Sequence, residues 1–509
     1  MSRRALALAL ALAAASAPRA ARAAPVIAVP PAANGAAWSD AQIVKLRADL
    51  GALLEADPAV RGAHVGLVVA DAGTASVLYE RNGADAFQPA STLKLLVGSV
   101  ALERLGPAMQ FVTTVRDDAT SADRFDLRLV AGGDPFLTTA DLQAAAAAIV
   151  RAEPDRTSIA LTVDTATLEA APYPRGWVWD DFGEDYAPHV GAMILDENVV
   201  HVRVSPGPGA PRYEVASPPG LAPPIDLRLL ASGRCDPAAG YAQVRTLATL
   251  GAPGSDSTLD AVAGDGGCPA IVGAIAPDGA PETLDVAVGD PVVYARRAFL
   301  EALLARAPRL VEAVPAPVVV VAGVPARLVY EHRSPPLAAF LGPRFWIPSD
   351  NLVAEILLRT LDLPGAPDAP GTTAGGLAIE RTWLRSIGVD PRTTTLADGS
   401  GLSQYDRITP RDLVAIALHD WNGPERDLVL GSLPIGGLRG TIEGIAGTGA
   451  AGRVFAKTGS MSHVRGLAGY LSPRRHRAVT FAFMVDDWNG DDASLAALRA
   501  KVLARIVDD

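Results

Sequence analysis

Hydrophobic positions along this chain follow two periods, and the change from one to the other outlines its organisation. Near the start, Ser39-x-x-Gln42 has the form of a capping box, and Ile43, Leu46, Leu50 and Leu53 follow at helical spacing. Two apolar runs, 64–70 and 76–79, flank Asp71-Ala72-Gly73 and predict a β-hairpin. Pro89-Ala90-Ser91-Thr92-Leu93-Lys94-Leu95-Leu96-Val97 then leads into an apolar helix. From 108 to 325 the pattern changes to short β-like runs, Gly/Pro-rich turns such as Gly132-Gly133-Asp134-Pro135, and occasional helices. Helical spacing returns over 351–361, strands are expected at 454–457, 466–471 and 479–485, and a last helix over 493–507 carries Leu495, Leu498, Val502 and Ile506 on one face. Helices and strands at both ends with a different block between them predict one α/β domain, 38–107 and 326–509, interrupted by an insertion over 108–325.

The first 23 residues read as a secretory signal peptide: Arg3 and Arg4, an unbroken Ala/Leu run over 5–15, and Ala21-Arg22-Ala23 before a cut. The run is short of the ~20 residues a bilayer-spanning helix needs. Ser2-Arg3-Arg4 is compatible with a twin-arginine route as well as the general one, so the route stays open. No later stretch is apolar enough to span a membrane, so no anchor is expected once the leader is removed, and a periplasmic protein is expected. The net charge is −11, and losing the four leader arginines takes it to about −15, which argues against nucleic acid or anionic lipid as the main partner. Cys235 and Cys268, the two cysteines, lie in mid-chain, where an oxidising compartment favours a disulfide over two separately buried thiols. The seven histidines never fall within helix-turn spacing of one another, so no metal is assigned, and no cofactor is expected.

Lysine usage directs attention to the chemistry. The chain has 41 arginines and four lysines, at 45, 94, 457 and 501, and two of the four fall in candidate motifs. Ser91-x-x-Lys94 places a hydroxyl and an amine on one face at a helix start, and a desolvated lysine can take a serine's proton where an arginine cannot. Alone, the pattern also suits a helix cap with a surface lysine. Ser349-Asp350-Asn351 precedes the 351–361 helix and is either an N-cap cluster or a proton relay with an amide-binding side chain. Lys457-Thr458-Gly459-Ser460 stands at the expected end of a strand, where it is either a turn at glycine or a carboxylate clamp. No G-x-S-x-G elbow and no H-E-x-x-H is present.

In this order, the three motifs are the signature of β-lactamases and penicillin-binding proteins. The chain resembles the D-alanyl-D-alanine carboxypeptidase/endopeptidase family of low-molecular-mass class C penicillin-binding proteins over nearly its whole length. Its specific marks are roughly 255 positions from Lys94 to Ser349, Gly132-Gly133-Asp134-Pro135, Ser334-Pro335-Pro336-Leu337, Asp398-Gly399-Ser400-Gly401-Leu402-Ser403, and Gly440-Thr441. The resemblance implies an α+β fold, a transpeptidase/β-lactamase-like domain of antiparallel sheet with flanking helices, interrupted by one or two β-rich inserted domains.

It further implies a serine DD-peptidase acting on peptidoglycan peptides that end in D-Ala-D-Ala and covalently inhibited by β-lactams. Ser91 would be the nucleophile, Lys94 its base, and Ser349 the relay to the leaving D-Ala. Asn351 would hold a substrate amide, and Lys457, Thr458 and Ser460 the terminal carboxylate, with Gly459 allowing close approach. The backbone N–H groups of Ser91 and Ser460 would form an oxyanion hole, and Lys457 would help lower the pKa of Lys94. Asp181, in a segment of the insertion that resembles one approaching the cleft, would pair with an amine on the peptide side chain; an exposed loop acid is the other reading. Bulky Phe345-Trp346 departs from the polar residues common in the family at that place and bears on substrate preference. Two other functions stand beside this one: a penicillin-responsive sensor that acylates without turnover, which usually needs a membrane segment, and a β-lactamase, which has no room for such an insertion.

Overall fold

Five antiparallel strands drawn from the two ends of the chain form the sheet around which the site is built, in the order Val454–Met461, Val464–Leu471, Val479–Asp486, His64–Asp71, Val77–Arg81. The computed structural model describes residues 28–508 apart from 33–34, 119–121, 217–226, 232–233, 237–241, 265–267, 314–325 and 366–368. The signal peptide expected over 1–23 lies outside the described residues. His64 pairs with Asp486, which registers the two ends of the sequence on each other, and Lys457 pairs with Ala468 within the C-terminal part.

The near-continuous apolar runs of these strands follow from burial of both faces. Val65, Leu67 and Val69 point to a core shared with Leu46 and Leu50 of the Asp40–Ala56 helix and with Leu498 and Val502 of the Asp492–Asp508 helix. Val68 and Ala70 point the other way, into a core with Phe87, Leu96, Val97 and Ile416. The first helix starts as the capping box requires, with the Ser39 N–H donating to Gln42 Oε1 at 3.0 Å, but Leu54 rather than Leu53 is its last fully buried position. The strand expected at 454–457 continues to Met461, so the third motif lies within a paired strand and not at a turn.

A second five-stranded sheet belongs mainly to the insertion, in the order Val311–Glu312, Ser158–Asp164, Arg124–Val130, Val112–Asp117, Arg327–Arg333. Burial alternates residue by residue along Val112–Asp117 and Arg124–Val130, the mark of a sheet covered on one face. Helices Thr139–Ala152 and Pro291–Arg306 pack on this sheet, so the block has an α/β part beside three smaller sheets of four, three and two strands. Because Arg327–Arg333 pairs with Val112–Asp117, we propose that the insertion returns to the first domain after Arg333 and not at 326. Cys235 and Cys268 are joined, with their Cα atoms 6.0 Å apart. No described helix is long and apolar enough to cross a membrane.

The Lys94–Leu105 helix packs among the helices Asn351–Thr360, Thr373–Ser386 and Pro410–Asn422, and its residues from Lys94 to Leu102 are all buried. Phe345 and Trp346 pack into this core and do not face the cleft, so the influence on substrate preference expected of them has no contact to act through. The Trp346 indole N–H donates to the Lys94 carbonyl at 2.9 Å and its ring lies on Gly98. A Cβ at Gly98 would fall 2.4 Å from that ring. Gly98→Ala should therefore destabilise the fold by about 1–3 kcal/mol through overpacking, against the ~1 kcal/mol that alanine gains over glycine in a helix. A lowered midpoint in urea unfolding, absent in Gly51→Ala where the added Cβ meets nothing within 4 Å, is the expected outcome.

Candidate active site

Ser91 sits in the 3-10 turn Ala90–Leu93 that feeds the Lys94–Leu105 helix. Ala90 has φ +44° and Ser349 has φ +68°, conformations that cost a non-glycine residue about 1–2 kcal/mol. The turn is held from two sides. A Cβ at Gly459 would lie 2.6 Å from the Pro89 carbonyl oxygen and one at Gly401 would lie 1.9 Å from that of Ala90. The strand of the third motif and the Asp398–Ser403 loop thus reach the nucleophile's turn only because they carry glycine there.

Lys94 is fully buried. Its Nζ donates to Ser91 Oγ at 2.7 Å, Asn351 Oδ1 at 2.5 Å and the Ser400 carbonyl at 3.0 Å, one acceptor for each ammonium hydrogen. Burial pulls its pKa down to about 8, against the opposing pull of Asp398, Asp350 and Glu355. The lowering expected from Lys457 is not among these causes. Burial, and then the charge of Lys94, hold Lys457 well below the usual lysine range. Lys457 is equally buried, and its Nζ donates to Ser349 Oγ at 2.8 Å and to the Thr458 carbonyl at 2.9 Å.

All three motifs meet here. Asp350, not Ser349, caps the Asn351–Thr360 helix by accepting from the Val353 N–H, which leaves the Ser349 hydroxyl on Lys457. Asn351 bridges Lys94 and the insertion, since its Nδ2 donates to the Tyr186 carbonyl at 2.8 Å. Thr458 Oγ1 donates to Thr441 Oγ1 at 2.7 Å, and Ser460 is exposed one step further along the strand. Asp181 lies in the 3-10 turn Trp179–Asp181, where its carboxylate accepts from the Val178 N–H at 3.1 Å and the Tyr186 hydroxyl at 3.2 Å. Among the described residues it has no hydrogen bond to a motif side chain; Tyr186, which donates to it, is the residue whose carbonyl receives Asn351. Among the described residues no cluster of metal-ligating side chains is found.

A nucleophile, a base with its pKa lowered toward neutrality and a second buried amine beside the hydroxyls of Thr458 and Ser460 are the parts needed for acyl transfer to serine from a substrate that carries a carboxylate. Comparison with known proteins points the same way. A family model described as "D-Ala-D-Ala carboxypeptidase 3 (S13) family" matches residues 46–505. A D-alanyl-D-alanine carboxypeptidase from an Actinomadura species is 32% identical over 455 residues, covering 85% of this chain and 79% of that protein. D-alanyl-D-alanine carboxypeptidase DacB of Haemophilus influenzae is 24% identical over 448 residues, 87% of this chain and 89% of that protein. The crystal structure of penicillin binding protein 4 (dacB) from Haemophilus influenzae shares the fold, with a TM-score of 0.73 at 22% identity over 89% of this chain and 98% of that one.

Sequence reasoning quoted the Asp398–Ser403 loop without giving it a role, and it missed the acidic layer beneath Lys94. Asp398 accepts from the Gly401 and Ser403 N–H groups, the Ser400 hydroxyl and, at 2.9 Å, the Trp177 indole of the insertion. Glu355 accepts from the N–H groups of Gly399 and, at 2.8 Å, Ser400, while Asp398 holds the N–H of Gly401, so the two acids together fix the residue whose carbonyl holds Lys94. The available signal was an acid inside the apolar run 352–358. Burial pushes Glu355 up to about 8 and Glu380, behind it, well above the usual carboxylate range, with Asp398 adding to both. Neither oxygen of Glu380 has a hydrogen-bond partner among the described residues. Because its folded pKa lies above its unfolded one, stability is lost as pH rises through the interval between them. Glu380→Gln should match wild type near pH 4.5 and become the more stable of the two as pH rises to 7 or 8, read as a growing difference in thermal midpoint.

Proposed function

Since this chain belongs to the D-Ala-D-Ala carboxypeptidase 3 (S13) family and is a serine-type D-Ala-D-Ala carboxypeptidase acting on peptidoglycan, we propose the following assignment of its residues. Ser91 Oγ attacks the carbonyl carbon of the penultimate D-Ala, and neutral Lys94 takes its proton. The bond to the terminal D-Ala breaks, Ser349 passes a proton to the departing amine, and water releases the acyl group from Ser91. Lys457, Thr458 and Ser460 receive the terminal carboxylate, Gly459 lets the substrate lie close to the strand, and Asn351 holds a substrate amide. The N–H groups of Ser91 and Ser460 receive the oxyanion. Asp181 takes the amine of the peptide side chain. Where the leaving amine belongs to a neighbouring stem, the same acyl transfer opens a cross-link.

The observation that carries this assignment is the fully buried Lys94 Nζ at 2.7 Å from Ser91 Oγ with its pKa near 8. A base must hold its lone pair free near working pH, and burial supplies that condition here. Lys457 Nζ spends two hydrogens on Ser349 and Thr458, leaving the third for an incoming carboxylate. We further propose that the protein is exported with cleavage of the leader, that it works in the periplasm without a membrane anchor, and that β-lactams acylate Ser91. One solved structure sharing the fold is penicillin binding protein 4 of Haemophilus influenzae complexed with a β-lactam.

Two outcomes are expected. Lys94→Arg should lose kcat/KM about a hundredfold or more, nearly as much as Lys94→Ala, because arginine keeps the charge but cannot give up its proton. Lys45→Arg should be silent. For the wild type, the acid limb of kcat/KM against pH should rise with a midpoint near 8, following the neutral fraction of Lys94. A pH-independent rate, or a Lys94→Arg enzyme within a few-fold of wild type, would reduce Lys94 to a fixed charge. In intact-mass spectrometry, benzylpenicillin should leave one adduct per chain, absent in Ser91→Ala, while the wild type releases D-Ala steadily from peptide. Adduct without turnover would mean a sensor, and rapid penicillin hydrolysis a β-lactamase.

A further inference from the structure

A cavity of about 820 Å³ lies beside the active site, walled by residues 169–175 of the insertion and by the 373–407 stretch of the first domain. Three guanidiniums line it. Arg175 is exposed and Arg381 and Arg407 are half-buried, yet among the described residues none has a carboxylate within ion-pair distance. Arg381 donates to the Leu396 carbonyl, and Arg407 to those of Gln404 and Asp406, all uncharged acceptors. The acid in the wall, Glu169, is already engaged by the Thr373 N–H and hydroxyl and by Arg359 at 3.4 Å. Arg381 acts on the buried carboxyl of Glu380, its neighbour in sequence, and Arg407 on Asp486 at the end of the sheet's central strand.

In a chain of net charge −11, three arginines lining one cavity, none of them ion-paired among the described residues, are suited to receive an anion. The ring of Tyr405, 56% exposed at the rim, offers a flat face to a bound chain. The cavity also reaches the reaction. Gln404 on its wall accepts from Gln88 Nε2 at 3.0 Å, and the same amide lies 3.7 Å from the sulfur of Met461, the residue after Ser460. Gln88 thus joins the cavity wall to the end of the strand that carries the third motif.

We propose that this cavity is a second binding site, taking the free carboxylates of an acidic peptide chain joined to the one being cleaved, with Arg175 and Arg381 as its principal contacts. The proposal rests on the peptidase reading and adds to it a preference for polymeric over short substrates. Binding is tested apart from turnover by titrating Ser91→Ala protein, in a calorimeter, with an acidic peptide that carries three free carboxylates and no D-Ala-D-Ala end. Adding Arg175→Ala and Arg381→Ala should weaken this binding about tenfold, and inorganic phosphate at the same concentration should not displace the peptide. Unchanged affinity in the triple variant overturns the site, and displacement by equimolar phosphate overturns its assignment to a peptide. In Ser91-intact protein, the two arginine substitutions should raise KM for cross-linked peptidoglycan fragments about tenfold with kcat preserved, and leave a short diacylated D-Ala-D-Ala peptide within about twofold. Equal loss on both substrates would show a general defect and overturn the proposal. A wild type inactive on the short peptide would count against the peptidase reading, while the calorimetric result still decides whether the cavity binds.

Discussion

An amine with no contact with solvent has to be surrounded by acceptors, and that requirement on Lys94 organises the molecule. Leaving a cation of this size buried and unpaired costs several kcal/mol. Its three acceptors come from three distant stretches: Ser91 from the turn before its own helix, Asn351 from the start of another helix, and Ser400 from a loop. None of these can move without leaving an ammonium hydrogen unmade. Acids at 350, 355 and 398 keep the site from expelling the charge altogether, and burial keeps it from holding the proton tightly. The balance lies near 8, where a small change of environment moves the proton.

The insertion takes part in the same arrangement. Arg359 is wholly buried on the helix that begins with Asn351, and its guanidinium donates to the carbonyls of Glu169, Ala171 and Val190. The Trp177 indole reaches Asp398, and the Tyr186 carbonyl receives Asn351. Residues 169–190 are therefore bonded to the helix and loop that present Lys94's partners. An insertion of this size, attached by two chain crossings, would otherwise be free to shift relative to the sheet. Here its contacts are polar, directional and buried, and they fix one orientation at the edge of the reaction centre.

What the sequence made legible was whatever local chemistry dictates. The capping box at Ser39, the hairpin at Asp71-Ala72-Gly73 and the inward faces of the terminal helices depend on residues a few positions apart. The three motifs were legible because hydroxyls and amines at such spacings have few structural uses in common. What stayed hidden is set by contacts over hundreds of positions. Trp346 looked like a bulky neighbour of the cleft, and it is a core residue because Gly98, 248 positions earlier, leaves room for its ring. The roles of Glu355 and Asp398 could not be read, since a carboxylate that supports a loop through backbone N–H groups leaves no pattern in spacing. The extent of the motif strand was missed as well, because glycine at 459 suggests a turn until its partner, Gly466, is known.

Composition supplied one long-range argument that local patterns could not. In a chain with 41 arginines, each of the four lysines is a position where arginine was available and was not used. Lys45 and Lys501 are exposed and pair with Asp49 and Asp57, contacts of little energetic weight that either cation can make. Lys94 and Lys457 are the two without exposure. A guanidinium buried at either place would remain protonated and would need five acceptors in a plane, whereas the ammonium needs three and can give its charge up. Arg359 shows that this fold can bury a guanidinium, and it does so by lining the side chain with backbone carbonyls and a threonine hydroxyl. The fold thus keeps arginine where a permanent charge must clamp structure and lysine where the charge must come and go, and that division locates the chemistry without reference to any motif.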